Sequence, residues 1–505
     1  MQRERRLDRR FFIGLAAAAA LALSGSGCGD DGEGGGTARP ERGANVASPL
    51  VEGPVSGGRG QPFAAATTFD PALVGYSQTE YFISGTARAY TNLAPLEQDG
   101  RWAAAPSAFT APFKTRILVF RPLDPADFNG TVVVEWLNVS GGLDAAPDWI
   151  NGHTELMREG YAWVGVSAQF VGVEGGGSIT GISAALKQID PERYGSLSHP
   201  GDSFSYDMYS QAAQAVRRPN GVDPLGGLDA RLVIAAGESQ SAARMVTYIN
   251  AVHPLAGIYD GFLVHSRGGG ATPLSQDPLP PIPVAANPFT REDVDVPVLT
   301  FQTETDMTLL RYYPARQPDS RNFRLWEVAG TAHADTYTLG GSGDLGNSPD
   351  AAKIVITASP IPGFQCASPI NSGPQHFVLK AAFAALHRWV REGVAPPPAP
   401  RLDMDPGPPP AIRRDARGNA LGGIRTPQLD VPLAAFSGEG QTGSPFCALF
   451  GTTVPFDNAT LVELYGSPQG YVTAYNEATD RAVAAGYILP ADAQLMKAAA
   501  AEVEF

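Results

Sequence analysis

The sequence predicts an α/β protein built on a mostly parallel sheet of eight strands flanked by helices. Short apolar runs alternate with segments long enough for a helical crossover, which parallel neighbours require. One of these runs, Leu232–Ala236 (LVIAA), is apolar throughout, which is typical of a central parallel strand covered on both faces. Together the alternation and the buried run favour this fold class over an all-helical or all-strand protein.

Eight strand candidates follow one another from about residue 80. The first pairs antiparallel with its neighbour through a loop, and segments long enough for a helical crossover separate the strands from the third onward. The candidates are Tyr81–Ala87, Thr115–Arg121, Thr131–Asn138, Tyr161–Ala168, Leu232–Ala236, Phe262–His265, Val298–Gln302 and Phe323–Val328.

Past residue 335 the pattern changes to a glycine-rich loop and then a helix over Phe377–Val390. A proline-rich break follows at residues 396–410, and helical runs return near the C-terminus. No separate hydrophobic domain is evident there. We therefore divide the body of the chain into a main domain over residues 71–395 and a C-terminal extension over residues 396–505 that packs on it.

Composition excludes several function classes. The formal net charge is −14, and basic residues cluster only at the N-terminus, which argues against a nucleic-acid partner. The sequence has no HExxH motif and no cluster of His and acidic ligands, so we expect no metal. No Gly-rich run has dinucleotide-binding spacing between a strand and a helix, and we expect no cofactor.

Residues 1–28 are interpreted as a signal peptide. Arg9 and Arg10 stand before an apolar run, Phe12–Leu23, that is too short to span a membrane. The pattern matches a twin-arginine signal, and a plain secretory signal is the alternative. Either route exports the protein.

Cys28 follows this run and fits a bacterial lipoprotein cleavage site, where it would carry a lipid anchor. Gly25, however, stands where the lipoprotein pattern has Leu. Residues 29–70 begin with an acidic, glycine-rich stretch and are predicted to be a flexible tether. A periplasmic or outer-membrane lipoprotein and a soluble extracellular protein both remain open.

Ser239 stands directly after the fifth strand in the sequence Gly-Glu-Ser-Gln-Ser. A serine at the tip of a sharp strand-to-helix turn needs small residues two positions away on each side, and Gly237 and Ser241 supply them. Apolar residues then recur at helical spacing over residues 242–252. We interpret Ser239 as a nucleophile; an ordinary turn with a capping serine is the alternative.

A serine nucleophile needs a base and a carboxylate behind it, both at strand ends on the same edge of the sheet. The seventh strand runs into Glu304 and Asp306, and the eighth is followed by His333. His333 is the preferred base, with His265, at the end of the sixth strand, as its rival. Glu304 is the alternative to Asp306 as the acid.

The oxyanion of an acyl-transfer reaction needs two N–H donors. One is expected from Gln240, immediately after the nucleophile. The other is expected from Val139 or Ser140, in the loop after the third strand, where glycines permit close approach of a substrate. A simple turn is the alternative for this loop.

Residues of roughly 80–335 resemble the α/β-hydrolase superfamily, with the triad in the order Ser, acid, His. Four stretches resemble more narrowly a family of secreted bacterial α/β-hydrolase-domain proteins: RYGSLSHPGDSFSYDMYSQ, GESQSA, QTETD and GGIRTPQLDVP. The resemblance implies a serine hydrolase acting on an ester or related acyl bond. It also favours Asp306, which, counted from Pro297, falls where the superfamily's usual acid lies. Ser241 departs from the commoner glycine of the superfamily.

The expected function is that of a serine hydrolase cleaving a small-molecule carboxylic ester through a Ser239–Asp306–His333 triad and an acyl-enzyme. An amidase, peptidase or acyltransferase with the same triad is the first alternative. A catalytically silent binding protein of the cell envelope is the alternative from another class.

Cys366 and Cys447 are the only cysteines after Cys28. Because export places the protein in an oxidising compartment, they are predicted to form a disulfide that joins the C-terminal extension to the loop after His333. Two buried free thiols are the alternative.

Overall fold

The apolar runs form one twisted sheet in the computed structural model, which describes residues 41–178, 181, 183–361 and 364–505. Within these residues the sheet has ten strands in the order β10-β9-β8-β7-β4-β5-β3-β2-β1-β6. The strands are β1 (Leu50–Glu52), β2 (Tyr76–Asn92), β3 (Ala104–Pro122), β4 (Thr131–Trp136), β5 (Ala162–Val166), β6 (Asn220–Gly221), β7 (Leu232–Glu238), β8 (Gly261–His265), β9 (Val298–Gln302) and β10 (Phe323–Glu327).

The predicted mixture of parallel and antiparallel pairs is confirmed. Strands β5, β4, β7, β8, β9 and β10 are parallel neighbours, whereas β3 pairs antiparallel with both β5 and β2. Their carboxyl ends therefore meet at one edge of the sheet, where the loops that carry the candidate catalytic residues begin.

The sheet has ten strands rather than the predicted eight. The two additional strands are β1, of three residues, and β6, of two residues, which pair with each other at the edge beside β2. Both are too short to show a hydrophobic period, and the two residues of β6 are exposed, so no sequence pattern marks them.

The tether predicted over residues 29–70 is too long at its C-terminal end. Leu50–Glu52 pairs with β2, and Ala65 forms a parallel bridge to Ala145. Arg42 also pairs with Asp260 and Asp295. Residues 42–505 accordingly form one unit by their contacts. A stretch rich in glycine and proline has the composition of a linker, and its partners in the fold lie far away in the sequence.

Helices cover both faces of the sheet. They are α1 (Pro147–Arg158), α2 (Phe170–Glu174), α3 (Leu186–Ile189), α4 (Pro191–Tyr194), α5 (Ser205–Arg217), α6 (Gln240–Thr247), α7 (His253–Ala256), α8 (Glu304–Thr308), α9 (Thr336–Gly340), α10 (Gln375–Glu392), α11 (Pro427–Asp430), α12 (Asn458–Tyr465), α13 (Pro468–Ala484) and α14 (Pro490–Ala500). A π-helical turn, Tyr248–Val252, joins α6 to α7.

Two buried clusters form the core, one on each face. Val132 and Val134 of β4 belong to one cluster and Val133 to the other, because successive side chains of a strand point to opposite faces. Helices α5 and α6 complete the first cluster. Helices α1 and α10 complete the second, together with α13 and α14 of the C-terminal extension.

The C-terminal extension packs on the main domain, as predicted. Two hairpins lie in it, β11 (Met404–Asp405) with β12 (Ala411–Ile412), and β13 (Ala434–Ser437) with β14 (Thr452–Pro455). The predicted disulfide between Cys366 and Cys447 is present, with the two Cα atoms 5.5 Å apart. Ile370 and Phe450 are buried in the same small cluster.

Residues 1–28 and Cys28, to which the signal-peptide and lipid-anchor predictions refer, lie outside the described residues. Among the residues that the structure describes, no helix combines the length and apolar character needed to cross a membrane.

Candidate active site

Ser239 lies at the tip of the turn between β7 and α6. Its backbone has φ 58° and ψ −117°, a conformation that residues with a side chain rarely adopt. The turn is fixed on both sides, because the Ser239 N–H donates to the carbonyl of His265 at 2.9 Å and the Ser239 carbonyl accepts from Ala243 at 3.1 Å. Ser239 is partly exposed, so its hydroxyl is open to a substrate.

Little room is left for a side chain two residues before Ser239, at Gly237. A Cβ at Gly237 would lie 3.1 Å from the Met245 side chain and 3.2 Å from the backbone of Ser241, closer than most Cβ contacts. Helix α6 therefore folds back tightly against the end of β7. This is the steric reason for the small residue that the sequence pattern indicated.

His333 brings the serine and the acid together. Its Nε2 lies 2.8 Å from Ser239 Oγ and its Nδ1 lies 2.7 Å from Asp306 Oδ1. The backbone N–H of His333 donates to Thr305 Oγ1 at 3.2 Å, which joins the loop after β10 to α8. His333 is 4% exposed and Asp306 is fully buried, so solvent reaches the arrangement from the serine side.

Of the two candidate acids, Asp306 contacts His333 and Glu304 does not. The second carboxylate oxygen of Asp306 accepts from the Thr303 N–H at 2.7 Å, which fixes its rotamer. Glu304 instead accepts from the N–H groups of Gly330 and Gly438 and pairs with Arg414 at 2.8 Å. Its role in this geometry is to join α8 to the loop after β10 and to the C-terminal extension.

A second carboxylate, that of Glu238, reaches the same histidine. Glu238 Oε1 lies 3.2 Å from His333 Nε2. Burial raises the pKa of Glu238 to about 7, although the neighbouring His333 and His265 act in the opposite direction. For His333, burial by itself lowers the pKa, but the carboxylates of Glu238 and Asp306 outweigh it and raise the pKa above its usual value.

The expected oxyanion donors fare differently. Ser140 is a poor candidate, because its N–H already donates to Asn138 Oδ1 at 2.8 Å. Among the described residues, no acceptor is hydrogen-bonded to the N–H of Val139 or of Gln240. Of the three expected donors, these two, on the loop after β4 and at the start of α6, therefore keep an N–H that is not hydrogen-bonded to another described residue.

A buried ion network holds the Val139 loop in place. Arg116 pairs with Asp144, in the last part of this loop, at 2.6 Å and with Glu80 at 3.3 Å. Ser167 also donates to Asp144 at 2.6 Å. The side chains of Arg116 and Glu80 are fully buried and that of Asp144 nearly so, so the loop is anchored from within the core.

The model of one protein family, described as an alpha/beta hydrolase domain, matches residues 51–498, which is most of the chain. The chain belongs to this family. The match begins at β1 and ends within α14, so the C-terminal extension is part of the family's domain. No curated protein matches the sequence.

Solved structures of a serine hydrolase and of esterases resemble this α/β hydrolase distantly. A serine hydrolase without lid from Xanthomonas campestris has 13% identity and a TM-score of 0.25, over 47% of this chain and 83% of that one. An esterase from Rhizomucor miehei has 12% identity and a TM-score of 0.25, over 51% and 77%. A glucuronoyl esterase from Solibacter usitatus has 10% identity and a TM-score of 0.25, over 50% and 76%. Likenesses of this size carry no information on the activity of the α/β hydrolase described here.

His265, the rival base of the sequence analysis, does not contact the Ser239 side chain. Its Nδ1 lies 2.8 Å from Asp148 Oδ1 and its Nε2 lies 3.0 Å from the Gln375 amide, and all three residues are fully buried. In this α/β hydrolase His265 contacts Ser239 through its backbone carbonyl, which accepts from the Ser239 N–H.

Two residues of the site were missed by the sequence analysis. One is Glu238, whose place next to Ser239 in the Gly-Glu-Ser-Gln-Ser sequence was a signal for it. Gln169, just after β5, exchanges amide hydrogen bonds with Gln240 and so stabilises the first turn of α6.

In the described residues no group of three His, Cys, Asp or Glu could hold a metal ion. A cavity of about 540 Å³ beside α9 and the start of α10 is lined by neither Ser239 nor His333.

Proposed function

We propose that this α/β hydrolase is a serine carboxylesterase that works through an acyl-enzyme at Ser239. The observation that carries the proposal is the continuous line of contacts from Asp306 through His333 to Ser239, with distances of 2.7 and 2.8 Å. Contacts at these distances are within reach of proton transfer, and they start from a partly exposed hydroxyl and end at a buried carboxylate.

Acylation begins when Ser239 Oγ bonds to the carbonyl carbon of the ester and its proton passes to His333 Nε2. Asp306 holds the ring in the tautomer that carries a proton on Nδ1 and stabilises the imidazolium that forms. The N–H groups of Val139 and Gln240 receive the oxyanion. The proton then passes from Nε2 to the leaving alcohol oxygen as the carbon–oxygen bond breaks.

Deacylation repeats these steps with water in place of the serine. His333 Nε2 takes a proton from the water, whose oxygen bonds to the acyl carbon, and the proton returns to Ser239 Oγ as the acid leaves. Because His333 must be neutral to act as the base, activity is expected to fall as the pH drops through its raised pKa.

The first experiment compares Ser239→Ala with Ser241→Ala, a matched change of a serine two residues away that lies buried in α6. Ser239→Ala should abolish labelling by a fluorophosphonate and lower kcat on p-nitrophenyl esters by about 10⁴-fold or more. Ser241→Ala should leave both nearly unchanged. Full esterase activity in Ser239→Ala would overturn the proposal.

The same assay tests the acid and the bond cleaved. Asp306→Asn should lower kcat far more than Glu304→Gln, because only Asp306 contacts His333. Matched p-nitrophenyl esters and p-nitroanilides separate an esterase from an amidase. A preference for the anilides would favour the amidase alternative.

We further propose that the enzyme is exported and works at or beyond the cell envelope. The twin arginines and Cys28 in the N-terminal segment support this, and the disulfide of the described domain is suited to an oxidising compartment.

A further inference from the structure

Two oxygens compete for one nitrogen of His333. Ser239 Oγ lies 2.8 Å from Nε2, and Glu238 Oε1 lies 3.2 Å from the same atom. Asp306 occupies the opposite side of the ring, at Nδ1. The imidazole is therefore enclosed by two carboxylates, one more than a serine, histidine and acid triad needs.

The position of Glu238 is fixed by its own partners. Asn138 Nδ2 donates to Glu238 Oε2 at 3.0 Å and to the Glu238 carbonyl at 3.2 Å. Asn138 Oδ1 in turn accepts from the N–H of Ser140. Glu238, the last residue of β7, is 6% exposed, and its carboxylate is buried against the loop after β4.

The charged groups around Glu238 come from four places in the fold. His333, in the loop after β10, and His265, at the end of β8, favour its carboxylate form, while Asp148 of α1 and Asp306 of α8 oppose it. Burial also disfavours the carboxylate. Because no arginine or lysine pairs with Glu238 among the described residues, the cationic form of His333 is the partner that compensates its charge at the shortest distance.

We propose that Glu238 is a positioning residue that stabilises the imidazolium form of His333 and thereby sets the pH range in which Ser239 is active. This inference rests on the proposed function. Glu238 exchanges no proton with the substrate and acts on the reaction through His333.

The effect follows the course of acylation. Once Ser239 Oγ has bonded to the carbonyl carbon, its proton is on Nε2, the atom that lies 3.2 Å from Glu238 Oε1. The Glu238 carboxylate lowers the free energy of the His333 imidazolium, and the proton then leaves with the alcohol. The same carboxylate stabilises the imidazolium of His333 in the free enzyme. His333 is therefore neutral, and able to act as the base, only at higher pH.

The sign of the test follows directly. Removing the charge of Glu238 lowers the pKa of His333, so the acid limb of kcat/KM should move to lower pH by about 1 unit. If the imidazolium is fully formed in the transition state, one unit also lowers kcat/KM on the plateau by up to about tenfold. Activity is thus lost at high pH while the working range extends to lower pH.

We would measure kcat/KM against pH for Glu238→Gln and Glu238→Ala, with Glu304→Gln as the control. Glu304 is another buried carboxylate at the same edge of the sheet, and it does not contact His333. Both changes at Glu238 should move the acid limb down, and Glu304→Gln should not. A lower plateau with an unmoved acid limb would show a merely structural role and overturn the inference.

A second readout does not depend on activity. In a Ser239→Ala background, NMR titration of the His333 ring should give a lower pKa when Glu238 is also replaced by Gln. An unchanged His333 pKa would refute the role of Glu238 while leaving Ser239 as the nucleophile. If Ser239→Ala itself retained esterase activity, the proposed function would fail instead, and the two failures are therefore distinguishable.

Discussion

The strained backbone of Ser239 is expected to lower the free energy of unfolding of the protein. At φ 58° and ψ −117° the Cβ atom crowds the adjacent backbone, and a residue held in such a region costs about 1–3 kcal/mol. The conformation persists because β7, α6 and the carbonyl of His265 fix both ends of the turn. Glycine has no Cβ and adopts positive φ at little cost.

Two variants separate the hydroxyl from the backbone. Ser239→Ala removes the hydroxyl and keeps the Cβ, whereas Ser239→Gly removes both. Relief of strain should gain about 1–3 kcal/mol, and the greater freedom of glycine in the unfolded chain should cost about 0.4–1 kcal/mol. We therefore expect Ser239→Gly to be more stable than Ser239→Ala by up to about 2.5 kcal/mol, although both are inactive.

Ser241 supplies the matched control. It lies two residues further on, within α6, where the backbone is helical. There the change from Ala to Gly should lower the free energy of unfolding by about 0.5–1 kcal/mol. The measurement is the midpoint of urea unfolding for the four variants, compared at equal slope. If glycine is destabilising at residue 239 as it is at residue 241, the turn is not strained and the reasoning is wrong.

Two further predictions concern the covalent chemistry of the chain. Replacing Cys366 and Cys447 together by Ser removes a cross-link between residues separated by 81 positions, which the chain-entropy model values at about 4–5 kcal/mol. Thermal unfolding should show a large fall in the midpoint temperature, with activity retained well below the new midpoint. An unchanged midpoint would contradict this prediction. Mass spectrometry of the mature N-terminus should find a lipid-modified Cys28, and an unmodified start between Ser24 and Gly36 would instead indicate a soluble exported enzyme.

The sequence by itself determined the succession of the main strands along the chain and the residues that follow them. Apolar runs and the steric needs of a sharp turn are local properties, so Leu232–Ala236 and Ser239 could be found without tertiary information. The order of Ser239, Asp306 and His333 followed from counting strands, and the Cys366–Cys447 pair followed from export and from there being only two cysteines after Cys28.

Only the tertiary structure decided which polar atoms meet. Glu304 and Asp306 lie two residues apart in one turn, and the fold directs one to Gly330, Gly438 and Arg414 and the other to His333. The fold also places the Ser140 N–H where it donates to Asn138 Oδ1 and not to a substrate.

The contact of Glu238 with His333 and the two short edge strands likewise could not be predicted from the sequence. The Glu238 carboxylate meets His333 across 95 positions of the chain, and β1 joins the sheet through β2. A sequence pattern reports hydrophobicity and turn geometry over a few neighbouring residues, whereas a side-chain hydrogen bond depends on distances of about 3 Å that packing of the whole domain sets.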